Sequence, residues 1–336
     1  MLSQIQQQQD YVKNNLKLKL KVVGICNSKK MTFDSDGLDL NSWSNVLETG
    51  ACVSPLEFFE SAKKMNLRNS VFVDVTANAS IAETYAHYLK ESIAVIACNK
   101  IACSGTLDYY QELKQLSIKY NAPFLFETNV GAGLPVIDTL NNLVASGDQI
   151  QAIYAVLSGS LNFIFNNYKG DDKFANIVKQ AQLEGYTEPD PRIDLSGVDV
   201  ARKLLILARE SGVSIDMEAI ENSSFLPNGA MEADSVKEFY TFIESQESVF
   251  KAIYEDANNN NAQLKYVAEF KDGIAKVGLQ SIEEGHPFFN LEGKDNIVMF
   301  YTNRYKDQPL IVKGAGAGAE VTASGLFADI IRASTI

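Results

Sequence analysis

The residues best suited to chemistry lie in one stretch, Gly185-Tyr-Thr-Glu-Pro-Asp-Pro-Arg-Ile-Asp-Leu-Ser-Gly-Val-Asp-Val-Ala-Arg-Lys203. Four carboxylates, Glu188, Asp190, Asp194 and Asp199, precede Lys203 within a few turns of chain. Asp199 and Lys203 are four residues apart, so a helix beginning near Val198 carries both on one face. On a solvated helix such a pair is an ordinary surface ion pair worth a few tenths of a kcal/mol. The remainder of this helix argues otherwise. Val200, Ala201, Leu204, Leu205, Ile206, Leu207 and Ala208 make it apolar nearly all round, the pattern of a buried helix. A charged pair in that setting is costly unless it is used, and burial shifts a lysine toward proton transfer. Pro189 and Pro191 are expected to stiffen the acidic loop and keep it out of helix. Ser196 and Gly197 offer a cap for the helix that follows.

The elements that must position these groups alternate in the first third. Leu16 to Cys26, Val71 to Val75, Ile93 to Cys98 and Pro123 to Phe126 read as apolar strands. Met1 to Asn15, Ser54 to Asn66, Ile81 to Glu91 and Leu107 to Tyr120 read as helices. Apolar strands separated by helices predict parallel βαβ units, covered on both faces, and hence a doubly wound sheet. Such a sheet binds ligands beyond the carboxyl ends of its strands. Thr76, Ala77 and Asn78 end one strand, and Asn99 with Lys100 ends the next. The G-x-G-x-x-G turn that opens a dinucleotide domain is absent near the start. We therefore expect a truncated sheet, short of its first strand and glycine turn. The strand ending at Cys26 runs into Asn27, Ser28, Lys29 and Lys30 without an acid. Two cations there suit the 2′-phosphate of NADP, or plain solvation.

Beyond Pro135 the pattern changes. Pro135 to Ala145, Lys173 to Glu184, Val198 to Ser211 and Ser235 to Tyr254 read as helices. Gln151 to Leu157, Leu264 to Phe270, Ile274 to Gln280 and Asn296 to Thr302 read as strands, the last three antiparallel. We expect three segments: a dinucleotide-type α/β domain over 1–150, an α+β domain over 151–308 (the substrate-binding and dimerisation domain, by the family resemblance described below), and a segment over 309–336 that returns to the first domain. Glu127 to Leu134 is a strand entering a glycine turn, either structural or an all-oxygen cradle for a hard cation. Gly314-Ala-Gly-Ala-Gly318 is a second such turn, which permits close approach of backbone to a ligand. Phe288 and Phe289 are expected in the core.

Composition narrows the function. The 336 residues are 46 % hydrophobic and 21 % charged, ordinary for a globular chain, with a net charge of −12. That charge opposes nucleic acid and anionic membranes. Met1 to Asn15 has neither the basic start nor the apolar run expected of a signal peptide, and no run reaches the length expected of a spanning helix. Four cysteines without a CxxC pair predict reduced thiols in the cytoplasm rather than a disulfide frame or a zinc site. Only His87 and His286 could serve a histidine mechanism. An acylating semialdehyde dehydrogenase would need an activated cysteine, and neither Cys98 nor Cys103 has a histidine nearby in sequence.

The acidic-loop motif resembles the signature of the homoserine dehydrogenase family, most closely the form fused behind an aspartate kinase. The resemblance runs from about Leu18 to Ala333 and includes Asn99-Lys100, Thr128 to Pro135, Leu157 to Leu161 and Gly314 to Gly325. It implies a Rossmann-type parallel sheet plus an α+β catalytic and dimerisation domain with an antiparallel sheet. It also implies interconversion of L-homoserine and L-aspartate 4-semialdehyde with NADP, or alternatively NAD, on the route to threonine, methionine and isoleucine. Lys203 and Lys100 take the catalytic positions, and Glu188, Asp199, Asp194 and Tyr186 those at the substrate. Thr76, Ala77, Asn78, Asn99, Lys100, Gly185 and Gly318 correspond to cofactor-binding positions. Glu127, Val130, Ala132 and Leu134 correspond to the ligands of a monovalent cation, usually sodium. The family is usually a homodimer. This chain departs from it at Ile193, where the family usually has an acid. The missing glycine turn leaves one rival expectation, an inactive or regulatory chain that keeps the fold.

Overall fold

The computed structural model describes residues 1–335. The chain divides into two compact units, Met1–Asn129 with the C-terminal residues from Ala319, and Val130–Gly318. The division falls at Asn129 rather than at the expected 150, and the return begins at Ala319 rather than at 309. Both shifts follow from strand pairing. Residues 150–156 and 310–315 are strands of the second unit's sheet, and a strand belongs with the ladder it joins.

The first unit opens with α1 (Leu2–Asn15), followed by β1 (Gly24–Cys26) and β2 (Lys30–Phe33). α2 (Trp43–Glu48), β3 (Ala51–Cys52), α3 (Pro55–Met65) and β4 (Val71–Asp74) come next. α4 (Ala79–Ala82), α5 (Tyr85–Lys90), β5 (Ala94–Ala97), α6 (Ile101–Ser104), α7 (Leu107–Lys119) and β6 (Phe124–Leu125) complete its first part. β4, β5 and β6 form the expected parallel sheet, with Val71 opposite Ala94 and Val95 opposite Phe124. One flank is aromatic: Phe72 stacks on Tyr88 with centroids 4.0 Å apart, and Tyr85 meets Phe124 edge-on. The other flank packs Ile96, Val71 and Val73 against Ile5 and Val12 of α1 and against Leu326, Phe327 and Ile330 near the C-terminus.

The strand expected over Leu16–Cys26 forms only at Gly24–Cys26, and there it pairs antiparallel with β2. Leu18, Leu20 and Val22 still turn inward onto the same apolar cluster. Alternation therefore placed their side chains correctly. A strand also needs a backbone partner, and residues 16–23 join no ladder among the described residues. Lys29 lies in the β1–β2 turn and Lys30 opens β2, and the Asn27 carboxamide accepts both backbone N–H groups at 2.8 Å.

The second unit contains α8 (Val136–Ala145), β7 (Ile150–Val156), α9 (Gly159–Asn167), α10 (Phe174–Leu183), α11 (Arg192–Leu195) and α12 (Val198–Glu210). β8 (Ile220–Ser223), α13 (Val236–Ser245), α14 (Glu247–Asn259), β9 (Gln263–Lys271), β10 (Ile274–Ile282), β11 (Asp295–Thr302) and β12 (Leu310–Ala315) follow. The sheet order is β12-β11-β7-β9-β10-β8, antiparallel except for the unanticipated β8, which runs parallel to β10. The helix expected across Ser235–Tyr254 is two helices meeting at Gln246. The acidic loop contains a helical turn, α11, despite its prolines, because Pro191 stands just ahead of the first helical residue, where a missing N–H costs nothing. α12 packs on α8, β8, β9 and β10, and Leu204 to Ala208 are buried as expected. Phe288 is buried in the core with Val156, Val267 and Ile297, and Phe289 packs partly buried beside it. The last helix, α15 (Ala319–Ala333), belongs to the first unit. No helix among the described residues is long and apolar enough to cross a membrane.

Candidate active site

In the second unit, Lys203 enters α12 from a left-handed Gly197. At φ 71° that residue is disfavoured for any side chain, and a Cβ there would lie 1.9 Å from the Tyr266 hydroxyl. Tyr266 is itself fixed, its hydroxyl donating to Asn222 Oδ1 at 2.8 Å. The Asn222 amide donates to the Ser196 carbonyl at 2.9 Å. These contacts set the start of α12.

The Lys203 side chain is 12 % exposed, and its Nζ lies 2.8 Å from Asp199 Oδ2. The same Nζ donates to the Leu157 carbonyl at 2.7 Å, just past the end of β7. Lys203 is therefore neither loose in water nor sealed off, because Asp199 remains half exposed. The β7–α9 turn that supplies Leu157 also holds the acidic loop. Ser158 caps α9 by accepting the Leu161 N–H, and Ser160 donates to Asp194 Oδ1 at 2.9 Å. Asp194 Oδ2 accepts the Glu188 backbone N–H at 2.9 Å. Burial pushes the Asp194 carboxyl above its ordinary range, and the charges of Glu188 and Asp199 add to the shift. Lys203 with Asp199, and Asp194 with the Glu188 backbone, are thus each tied to the segment Leu157–Ser160.

Tyr186 stacks on Phe163 of α9, with centroids 4.3 Å apart. Gly185 takes φ 74° at the end of α10, and nothing lies within 4 Å of the place a Cβ would occupy. The Glu188 carboxylate is exposed. Asp190 is drawn into a different role, a two-oxygen clamp on Arg192 with contacts of 2.6 to 3.1 Å, while Arg192 also donates to the Ala233 carbonyl. Gly318, at φ 132°, stands exposed just ahead of α15.

In the first unit, Thr76, Ala77 and Asn78 are exposed at the carboxyl end of β4. Sequence reasoning missed the residue that organises them. Asp74 is 2 % exposed and accepts from the Thr76 N–H at 2.7 Å, the Asn99 amide at 3.0 Å and the Tyr85 hydroxyl at 2.6 Å. Asn99 also donates to the Asn78 carbonyl at 2.9 Å and accepts the Ile101 N–H. One buried carboxylate thereby ties together the ends of β4 and β5. Lys100 caps α6 and is half buried. Lys30 donates to the Gly50 carbonyl at 2.9 Å, and Lys29 is exposed.

Glu127 of the first unit is 5 % exposed; its N–H donates to Asp329, and its carboxylate lies 3.9 Å from Arg332. Val130, Ala132 and Leu134 belong to the second unit, where Ala132 takes φ 54° and the Leu134 carbonyl accepts the Val136 N–H. The hydroxyl of Thr128 and the Oδ1 of Asn129 are buried with no hydrogen-bond partner. Orphaned oxygens of this kind fit a hard cation. Among the described residues no group of three or more His, Cys, Asp or Glu side chains could hold a metal.

A unit with a parallel sheet and polar residues at its strand ends, and an α+β unit carrying a lysine among carboxylates, place the chain in the class of two-unit α/β proteins with a dinucleotide-type sheet. The chain belongs to the homoserine dehydrogenase family: the family model described as "Homoserine dehydrogenase" matches residues 135–331, and "Homoserine dehydrogenase, NAD binding domain" matches residues 1–127. The chain is 37 % identical to a homoserine dehydrogenase of Schizosaccharomyces pombe, over 89 % of its own length and 82 % of the relative's. It is 42 % identical to "Bifunctional aspartokinase/homoserine dehydrogenase 2, chloroplastic" of Arabidopsis thaliana, over 99 % of this chain, which spans 37 % of that protein. A hyperthermophilic archaeal homoserine dehydrogenase solved in complex with NADPH superposes with a TM-score of 0.73 at 26 % identity, covering 97 % of this chain and 92 % of the other.

Proposed function

We propose that this chain interconverts L-homoserine and L-aspartate 4-semialdehyde with NADP, as an oxidoreductase of the route to threonine, methionine and isoleucine. One observation carries the reading: a largely buried lysine pinned by Asp199 and the Leu157 carbonyl, inside a carboxylate group that the same β7–α9 turn holds in place. The nicotinamide dinucleotide supplies the hydride chemistry when bound. Lys203 gives a proton to the aldehyde oxygen during reduction and takes it back from the hydroxyl during oxidation. Glu188 and Asp199 accept hydrogen bonds from the substrate's ammonium and hydroxyl groups. Asp194 and Tyr186 hold the loop that presents Glu188. Thr76, Ala77, Asn78, Asn99, Lys100, Gly185 and Gly318 serve the cofactor, with Lys100 a second candidate for the proton. Lys29 is the remaining candidate for a 2′-phosphate.

The same reading assigns sodium to Glu127 and the backbone carbonyls of Val130, Ala132 and Leu134, which the orphaned oxygens of Thr128 and Asn129 support. It places the protein as a homodimer in the cytoplasm, where free cysteines stay reduced. A fused aspartate kinase, as in the longer relatives, belongs to this proposal as well. The comparisons lend no support to the inactive-chain alternative. Acylating chemistry is disfavoured because burial pushes the Cys98 thiol up, away from the thiolate it would need.

The test is spectrophotometric: purified protein with L-homoserine and NADP should form NADPH together with stoichiometric aspartate 4-semialdehyde. Absence of both products, in a folded sample supplied with sodium, overturns the reading.

A further inference from the structure

Lys265 of β9 is fully buried, and the function proposed above leaves it idle. A buried ammonium is costly, and a methionine would fill much the same space without that cost. Its bonds give a reason for the charge. Nζ donates to Asn162 Oδ1 at 3.2 Å, to Asn166 Oδ1 at 2.5 Å and to the Leu291 carbonyl at 2.7 Å. An ammonium supplies three donors from one atom, which no neutral side chain does. With both amide oxygens taken by Lys265, the amide nitrogens are fixed as donors. Asn162 donates to the Gly293 carbonyl at 2.9 Å, and Asn166 to the Leu291 carbonyl at 3.0 Å. Lys265 thereby fastens α9 to the segment 291–293 ahead of β11. That segment leads to the turn on which the site depends. A Cβ on Gly159 would lie 3.1 Å from Lys294 Cβ and 3.2 Å from its carbonyl oxygen, so the start of α9 rests on the residue after Gly293. Gly159 stands between Ser158 and Ser160, whose hydroxyls are 3.0 Å apart, and Ser160 holds Asp194. Leu157, just before them, gives its carbonyl to Lys203.

We infer that Lys265 is a positioning residue for the reaction: by clamping Asn162, Asn166 and residues 291–294 together, it holds the β7–α9 turn where Leu157 meets Lys203 and Ser160 meets Asp194. The inference rests on the function proposed above and deepens it, adding a residue that acts only through others. Every group in the chain of contacts belongs to one unit, Val130–Gly318. Tyr266, the next residue of β9, sets the start of α12, so two successive residues of one strand fix the starts of both α9 and α12. Without the ammonium, two amide oxygens and a carbonyl lose a donor, the amides are free to turn over, and the segment behind Gly159 loosens. Small displacements of this kind are costly at a reacting geometry even when they arise far from it.

The test follows L-homoserine oxidation at pH 7, below the value of about 8 to which burial pushes Lys265, so that the ammonium makes all three bonds. Lys265→Met should lower kcat/KM for homoserine about tenfold or more, while the Kd for NADPH, read by fluorescence, stays within about twofold of wild type. Lys265→Gln, which keeps two N–H donors without the charge, should fall between. Gly159→Ala presses on the same joint from the other side, through Lys294, and should also lower kcat/KM. Because both act on one joint, the double variant Lys265→Met with Gly159→Ala should lose less than the product of the two single losses. Should circular dichroism show neither position-265 variant folded, Asn166→Ala, which removes one acceptor of the ammonium, takes their place. A folded variant that keeps kcat/KM within about twofold of wild type overturns the role of Lys265 alone. An equal loss of NADPH affinity, or single losses that multiply in the double variant, overturns it as well. A wild type that does not turn over homoserine overturns the underlying reading and this inference with it.

Discussion

Replacing Gly197 by alanine is the sharpest probe of how α12 is aimed. The substitution has two costs. An L residue at φ 71° pays about 1–2 kcal/mol for the left-handed conformation. The new Cβ also falls 1.9 Å from the Tyr266 hydroxyl, so that ring must move and give up its bond to Asn222, about 1 kcal/mol more. The sum is about 2–3 kcal/mol. For a cooperative unit of this size that is a fall in melting temperature of about 5–10 °C. Gly212→Ala is the matched control, since it stands at φ 96° with nothing within 4 Å of its Cβ position and should pay the backbone cost alone. Calorimetry on both variants, and on Gly197→Ala combined with Tyr266→Phe, separates the two contributions. Removing the hydroxyl should recover part of the loss in the Gly197→Ala background. If Gly197→Ala is no worse than Gly212→Ala and Tyr266→Phe restores nothing, Tyr266 does not set the start of α12 and the reasoning fails.

Three further outcomes are expected. Asp194 has its pKa raised in the fold, so folding favours its protonated form; its contribution is fully present at acid pH and is lost as pH rises through the raised pKa. Chemical denaturation of wild type and Asp194→Asn across that window should therefore show the wild type losing ground with rising pH, and the opposite slope would contradict the assignment. Lys265 is buried, donates to Asn162, Asn166 and the Leu291 carbonyl, and is pushed down to about 8 by burial. Its folded pKa lies below the unfolded one, so the cost of its charge is relieved as pH climbs from about 8 toward 10.5, by up to about 3 kcal/mol over the full window. Wild-type stability measured against Lys265→Met should rise over that range, and a flat difference would refute the shift. Asp74→Asn should raise the KM for NADP about tenfold with little change in kcat, because it loosens the Thr76–Asn78 turn and Asn99 without touching Lys203; an equal loss in kcat would place Asp74 elsewhere in the mechanism.

The legible parts of the molecule were those where side-chain pattern alone decides the outcome. The apolar run around Asp199 and Lys203 announced a buried helix, and the i, i+4 spacing announced their ion pair. The antiparallel strands of the second unit fell within a residue or two of their expected places because turn residues bound each run. Partner-dependent features were hidden. Residues 16–23 carry a strand's alternation and no ladder, and β7 and β12 join the second unit by pairing that periodicity does not encode. At the site, the Leu157 carbonyl that anchors Lys203 is backbone, so no residue type signals it. Asp74 lies unremarked inside the Val71–Val75 run, and only the fold shows Tyr85, Thr76 and Asn99 converging on it. The proline spacing suggested an open loop, whereas Pro191 in fact precedes a helical turn that brings Asp194 to Ser160.

The most direct test of the account is the turnover of Lys203→Ala, measured in both directions and in the presence of added small primary amines. Loss of the proton-transfer group should lower kcat by about 10²–10⁴-fold while NADPH binding is retained, and amines should restore part of the rate. Turnover within a few-fold of wild type, without amine, would contradict the assignment of the proton to Lys203.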